Sequence, residues 1–478
     1  MSSTRRIALN TLVTIFGDIG GKVLSFVFII YAARYFQVER YGELSFALSF
    51  TTLFYVLSDL GFFELLTREV ARNHNLASKF MGNLIVLKTI IVLPVYLTMI
   101  FVINLMGYPT ETVTIVSIIG VSIVIIDSFC LIFQALFRSF EKLEYPAIGK
   151  ILKNFILIVG IFIIMKLHLG LIEFSYFYLI SSSTWLALSS IIIFEKFAKP
   201  DFRVNLEFWR FIIKEGLPFW ATSIFLIIYY QIDIVMLSVM KENYDVGIYS
   251  AAYKFITSLS FIPVAFIAAM FPVTSRLYVS SKEKLKFVFE KSFKFISIIS
   301  IYLAVIIFLL SDDIINLIYG ASYLPSASVL KILTISEVIL FITTIFANLL
   351  NSINRQIICA IQTGIAALLN VLLDFLLIPQ YSYIGASFAT VFTDIFSFMF
   401  LYVWIMKSEY RLPLKSIVEV AKVLITGVLV GLILSYLTEQ GLFIVILISI
   451  PLYISFIYIF RVFDASDMIL IRKIVKGG

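Results

Sequence analysis

Ionisable side chains stand inside stretches that are otherwise apolar, and these are the residues in the chain equipped for chemistry. The basic ones are Lys22, Lys88, Lys153, Lys254, Lys331 and Lys422; the acidic ones include Asp18, Asp59, Asp127, Asp233, Glu337, Asp374 and Asp394. A charge in hydrocarbon is costly, so each must be paired, reach for the interface or line a wet path. Asp18 and Lys22 are four apart on one helix face and can neutralise each other, while Gly17, Gly20 and Gly21 beside them let that helix bend. Asp233 and Lys254 fall at similar depth on adjacent spans, which suits either an ion pair or two groups facing one hydrated cavity. Asp374 and Asp394 have the same arrangement with two acids, and neighbouring carboxyls suit proton or cation exchange. Lys153, Lys331 and Lys422 lie within two turns of a span end and are expected to snorkel.

The elements that carry these charges follow from composition. Apolar residues make up 61% of the 478 positions and charged ones 14%, against roughly half and a quarter in soluble domains. Such a chain has no water-facing surface as a soluble globule, and a bilayer is the solvent that fits it. Apolar runs predict fourteen transmembrane helices, near 8–36, 42–66, 79–105, 112–138, 145–166, 171–194, 211–240, 246–272, 287–310, 327–350, 357–378, 383–406, 415–437 and 441–461. Each is long enough to cross about 30 Å of hydrocarbon. Continuous runs without alternation exclude a β-barrel.

Charge placement supports the count. Of the 37 basic residues, 27 fall in alternate loops and the two ends, four in the opposite loops and six within spans. Basic loops face the cytoplasm, so the expectation is a multi-pass plasma-membrane protein with both termini cytoplasmic. The net charge of +7 belongs to that membrane face and calls for no nucleic acid. The run after Arg5 and Arg6 is too long for a cleavable signal and carries Asp18 and Lys22. Cys130 and Cys359 fall inside spans, so neither a disulfide nor a metal site is expected, and nothing points to a cofactor. His74 and His168 sit in loops, which removes a buried histidine relay. The longest connections, around 196–214 and 276–294, run to about twenty residues and are amphipathic, which predicts surface-lying helices. They are too short to house an enzyme's donor site, so no enzymatic activity is expected. Pro218, Pro263 and Pro272 in the seventh and eighth spans permit bending.

An internal echo appears. Tyr41-Gly42-x-x-Ser45-x-Ala47 returns 205 residues later as Val246-Gly247-x-x-Ser250-x-Ala252, and Lys153-Asn154 followed by Gly170 returns as Leu369-Asn370 followed by Gly385. Small residues on one face let helices approach closely. Duplication predicts two pseudo-symmetric six-helix lobes and two C-terminal helices, an all-α polytopic architecture. The expected divisions are an N-lobe over 1–195, a cytoplasmic amphipathic linker over 196–210, a C-lobe over 211–406, and the last two helices with a basic tail over 407–478.

Several segments then carry a family resemblance. They are Ala33-Arg34-Tyr35 with Tyr41-Gly42, Ser58-Asp59-Leu60-Gly61 with Arg68, Gln231-Ile232-Asp233, and Val246-Gly247-x-Tyr249-Ser250-Ala251-Ala252-Tyr253-Lys254. Tyr319-Gly320-x-x-Tyr323 with Ala327, Asn370 to Pro379, and Gly385-Ala386-x-x-Ala389-Thr390 complete them. In order and spacing the chain resembles the polysaccharide-synthesis, or Wzx-type, flippases of the multidrug/oligosaccharidyl-lipid/polysaccharide (MOP) exporter superfamily. The resemblance implies a MATE-like fold whose lobes rock about a cavity. The implied substrate is a polyprenyl-phosphate- or pyrophosphate-linked oligosaccharide, moved from the cytoplasmic to the outer leaflet. Cavity candidates are Lys22, Arg34, Asp59, Lys88, Asp233 and Lys254, the lysines suiting a phosphate that is prohibitive to bury unpaired. Candidates for a coupling proton or sodium ion are Asp18, Asp374 and Asp394. Glycan-assembly proteins are possible partners. A cation-coupled multidrug exporter and a peptidoglycan-precursor (lipid II) flippase are the alternatives.

The topology has a direct test. In a cysteine-free background, Ser2→Cys and Gly477→Cys are both expected to react with an impermeant thiol reagent only after the cell is opened; reaction of one alone on intact cells overturns the even span count.

Overall fold

A computed structural model describes residues 3–464 and 467, the side chains of 3–16, 18 and 19 excepted. Among these residues every regular element is helical. In order they are α1 (Ser3–Tyr55), α2 (Phe62–Arg72), α3 (Ala77–Leu105), α4 (Thr110–Gly120), α5 (Asp127–Ser139), α6 (Glu144–Leu167), α7 (Leu171–Lys196) and α8 (Leu206–Met240). There follow α9 (Asn243–Leu259), α10 (Phe261–Ser280), α11 (Lys282–Leu309), α12 (Ser311–Tyr319), α13 (Ser326–Ser352), α14 (Gln356–Met406), α15 (Leu414–Ser435) and α16 (Leu442–Ile459).

Twelve helical runs are long and apolar enough to cross a membrane. Two of them are double. α1 breaks at Gln37 (φ 62°, ψ 177°) and α14 at Ser382 (φ 51°, ψ −133°), both in backbone regions that non-glycine residues rarely occupy. The Gln37 side chain donates to the Arg34 carbonyl at 2.7 Å, and Lys241 Nζ donates to the Pro379 carbonyl at 2.9 Å, which holds each break. Counted as halves, these runs restore the fourteen crossings read from the sequence. The fourth crossing passes from α4 to α5 through a π-helical stretch, Val121–Ile126. The eighth is interrupted at Ser260, with Pro263 in the first turn of α10.

Two expectations are corrected. The second crossing does not run on to residue 66; Leu60 (φ 48°) and Gly61 (φ 75°) turn the chain, and α2 starts afresh. Nor are the long basic connections surface-lying helices. Residues 197–205 are irregular and pack on α3: the Asp201 amide donates to the Ser78 carbonyl at 3.0 Å, and Asn83 Oδ1 accepts from Trp209 Nε1 at 3.0 Å. Arg203 hydrogen-bonds Asp201 at 2.9 Å through both Nε and Nη2, which holds that carboxyl below the ordinary range. Asn205 then caps α8. Residues 276–294 simply belong to α10 and α11, parted at Ser281.

The chain forms two compact units. Unit 1 comprises residues up to Lys254 with Thr363–Ala386; unit 2 comprises Phe255–Gln362 with the residues from Ser387. The core of unit 1 gathers Phe62, Leu66, Phe80, Phe137 and Trp185. That of unit 2 gathers Phe289, Phe293, Phe346, Leu401 and Ile405. Unit 2 also encloses Lys294, whose Nζ lies 2.5 Å from Asp467 and 3.2 Å from Glu419. Lys291 joins it at 2.6 Å from Asp467.

In unit 1 the two copies of the repeated motif meet. A Cβ on Gly42 would stand 1.9 Å from the Asn243 carbonyl oxygen and 2.8 Å from the Gly247 nitrogen; one on Gly247 would stand 2.1 Å from the Val38 carbonyl oxygen. Backbone lies on backbone there, and no side chain fits between. Gly247→Ala is therefore expected to lower stability by about 1–3 kcal/mol, read as a fall in unfolding temperature of the detergent-purified protein. Gly20→Ala, whose nearest new neighbour is at 3.8 Å, is the control. Equal unfolding temperatures for the two variants refute the contact.

Candidate functional site

The buried charges of unit 1 form two groups. The first begins where the second crossing ends. Asp59 follows the 3₁₀ turn Val56–Ser58, and its carboxylate meets Lys88 of α3 at 2.9 Å. Lys88 is fully enclosed while Asp59 keeps 16% of its side-chain surface. The ammonium also donates to the Ser128 carbonyl at 2.8 Å, and the Ser58 and Ser128 hydroxyls are hydrogen-bonded. Asp127, next to Ser128, pairs with Lys153 of α6 at 2.6 Å. Asp127 and Ser128 follow directly on the π-helical stretch, an irregularity common at functional positions.

This first group departs from expectation in one respect. Lys153 does not snorkel; its ammonium reaches both oxygens of Asp127, a stronger attraction in low dielectric than a distant headgroup offers. Lys331 has likewise found an acid, Asp312, at 2.6 Å.

The second group is acidic. Asp233 of α8 accepts from the Tyr249 hydroxyl of α9 at 2.5 Å. The carboxyl of Asp374, on α14, stands beside that of Asp233 and interacts with it. Both acids are buried, at 3% and 0% exposure. Asn370 precedes Asp374 by one helical turn on the same face and is buried too. Neither oxygen of Asp374, nor Oδ1 of Asn370, has a hydrogen-bonding partner of good geometry among the described residues. Two carboxyls thus meet in a place sealed from solvent, with the Asn370 amide buried one turn away on α14. Such a set accepts positive charge.

The other sequence candidates lie elsewhere. Asp374 was expected to neighbour Asp394. Its acidic neighbour is Asp233 instead: Asp374 belongs to unit 1 with Asp233, while Asp394 lies in unit 2 with a hydrogen bond from Ser336. Lys254, half-buried, follows Tyr249 on α9, and Lys22, also half-buried, lies on α1. Arg34 is exposed beside the Gln37 break. The Asp18 side chain lies outside the described residues. Ser128, Tyr249, Asn370 and the Asp127–Lys153 pair were absent from the predicted set. Asp127 and Lys153 carried a signal as charges within apolar spans, and Asn370 in its four-residue spacing from Asp374.

Comparison with known proteins places this arrangement. The sequence signature described as "Polysaccharide biosynthesis protein" matches residues 7–278. The chain belongs to that family. A second signature, MatE, matches residues 218–376. An uncharacterized membrane protein of Methanocaldococcus jannaschii, MJ1068, is 26% identical over 59% of this chain and 57% of its own length. The probable low-salt glycan biosynthesis flippase Agl15 of Haloferax volcanii is 24% identical over 34% of each chain. The chain thus spans about half, and about a third, of the length of these curated relatives. In fold it is similar to the lipid II flippase MurJ in an inward closed conformation, with a TM-score of 0.77 at 19% identity, covering 95% of this chain and 99% of that one. The expected all-helical fold of the MOP flippases is therefore present.

The Asp59–Lys88 pair yields a test of its structural weight. Lys88→Met leaves the half-buried Asp59 carboxylate without its cation and is expected to cost about 3 kcal/mol; pairing it with Asp59→Asn is expected to recover most of that. Thermal unfolding of the two variants checks this, and equal losses in the single and double variants refute the pairing.

Proposed function

We propose that the protein is a flippase that moves a polyprenyl-phosphate- or pyrophosphate-linked oligosaccharide from the cytoplasmic to the outer leaflet for glycan assembly. The observation that carries this reading is the buried set Asp233, Tyr249, Asn370 and Asp374, held by three helices of a polysaccharide-biosynthesis family fold. Two buried acids side by side are tolerated only when a proton or a cation is shared between them. Their repulsion in low dielectric makes the empty set costly, so it takes up a proton or a sodium ion. Uptake and release of that cation alter the charge of the bundle, and this is how a gradient drives the exposure of a substrate site from one side to the other.

The glycan cargo rests on the family signature over residues 7–278 and on the name of the Haloferax relative. A second reading, a cation-coupled multidrug exporter, draws on the MatE signature over 218–376, which covers Asp233 and Asp374. Cargo of the lipid II type draws only on the fold. A plasma-membrane location with cytoplasmic termini accords with the distribution of basic residues.

The test is reconstitution in liposomes. Wild-type protein is expected to carry a fluorescent polyprenyl-diphosphate sugar between leaflets, faster under an imposed sodium or proton gradient. Asp374→Asn is expected to lose that acceleration while still folding, as followed by its unfolding temperature. Export of dyes with no movement of the lipid-linked sugar would establish the exporter reading instead. An Asp374→Asn variant that responds to both gradients like the wild type removes the acid pair from coupling.

A further inference from the structure

Lys241 is one of only four basic residues in the loops where such residues are scarce. Membrane proteins gather lysine on the other face, so a lysine here calls for a local reason. It follows directly on α8, and its backbone is extended (φ −138°, ψ −175°). That turn sends the side chain off the helix, and Nζ donates to the Pro379 carbonyl of α14 at 2.9 Å. Pro379 lies three residues before the break at Ser382, among the last carbonyls of a helical half, which take donors from outside the helix.

The two helices tied in this way are the ones that carry the acid pair. Asp233 precedes Lys241 by eight residues and Asp374 precedes Pro379 by five, which puts the tie roughly 12 Å and roughly 8 Å along the axes from the two acids. Both of its ends rest on tightly packed backbone of unit 1. Beside Lys241, the Asn243 carbonyl oxygen lies where a Cβ on Gly42 would come within 1.9 Å of it. Beside Pro379, a Cβ on Gly385 would stand 2.4 Å from the Leu377 carbonyl oxygen. A hydrogen bond between two such fixed points sets a distance between helices, whereas one between mobile loops does not.

That distance bears on the acids. Asp233 and Asp374 repel each other when both are charged, and the repulsion acts to part α8 from α14. The Tyr249 hydroxyl bonds Asp233 but brings no positive charge. A tie at the ends of the two helices opposes their separation while the set is empty and keeps the spacing at which one cation satisfies both carboxyls. We propose that Lys241 is a positioning residue of the acid pair: by holding the end of the Asp374-bearing half of α14 to α8, it sets how tightly a cation is taken up. The inference rests on the cation-coupling role proposed above for the acids.

The test reads cation uptake as a rise in the unfolding temperature of the full-length, detergent-purified protein. Sodium chloride is titrated against choline chloride, and separately the pH is lowered from mildly alkaline to mildly acidic without sodium. Wild type is expected to rise in at least one titration, with a component that Asp374→Asn lacks. For that component Lys241→Met is expected to need about tenfold more of the same cation to reach its half-point. Lys241→Arg, which keeps the charge and the donor, is expected to stay near the wild-type half-point. A Lys241→Met protein with a lower unfolding temperature but a wild-type half-point makes Lys241 a helix cap alone and overturns the proposal. So does a Lys241→Arg protein that shifts as far as Lys241→Met. A wild type that rises in neither titration removes the cation role itself, and the positioning role with it; a wild type that rises alongside an unshifted Lys241→Met removes Lys241 and leaves the acids in place.

Discussion

Lys88 is sealed from solvent, and hydrocarbon supplies neither water nor a counter-ion. The ammonium is therefore held by what the chain brings to it, the Asp59 carboxylate and the Ser128 carbonyl. That requirement shapes three elements at once. It fixes where the second crossing stops, because Asp59 sits on its last turn. It draws α3 against the π-helical part of the fourth crossing, and it positions Asp127 to receive Lys153. A neutral network results, and neutrality is what lets these helices pack tightly around it. The Asp233–Asp374 pair breaks the same rule. Two like groups share an enclosed space, and that juxtaposition of acids is what sets the pair apart from the Asp59–Lys88 and Asp127–Lys153 pairs.

Close backbone approach is the second constraint. Gly42 with Gly247, and Gly61 with Gly216, bring main chain onto main chain near the two ends of the second crossing. A Cβ on Gly61 would lie 2.2 Å from the Gly216 carbonyl oxygen, and one on Gly216 would lie 2.5 Å from that of Leu60. Van der Waals contact of this kind is the main source of helix association in a membrane, where apolar burial offers little. The motif repeated along the chain is thus also the place where its copies touch.

Much of this was legible in the residues. Apolar runs and the placement of lysines and arginines give the crossings, since both are averages over many positions. The breaks at Gln37 and Ser382 were implied as turns, yet their tightness was not, because neither residue is one that the left-handed region favours. The surface-helix reading of 196–214 failed on Asn83 and Asp201, whose partners are supplied by distant segments. The acid pair failed for the same reason: local spacing ties Asp374 to Asp394, while the fold brings Asp233 from 141 residues away. Sequence names the ionisable residues, but burial makes each one's partner a matter of tertiary arrangement.

The placement of late residues in early units bears on biogenesis. Unit 1 takes Thr363–Ala386 as part of itself, so the helices made first cannot complete their packing until residue 386 of the 478 has been translated. Lys294 is enclosed by Glu419 and Asp467, and until residue 467 leaves the ribosome one of those two counter-charges is missing. Insertion of individual spans by the translocon must therefore run well ahead of assembly, with half-built bundles held in the membrane and their ions still wet. A nascent chain stalled before residue 363 is inserted and unfinished, a natural target for membrane quality control.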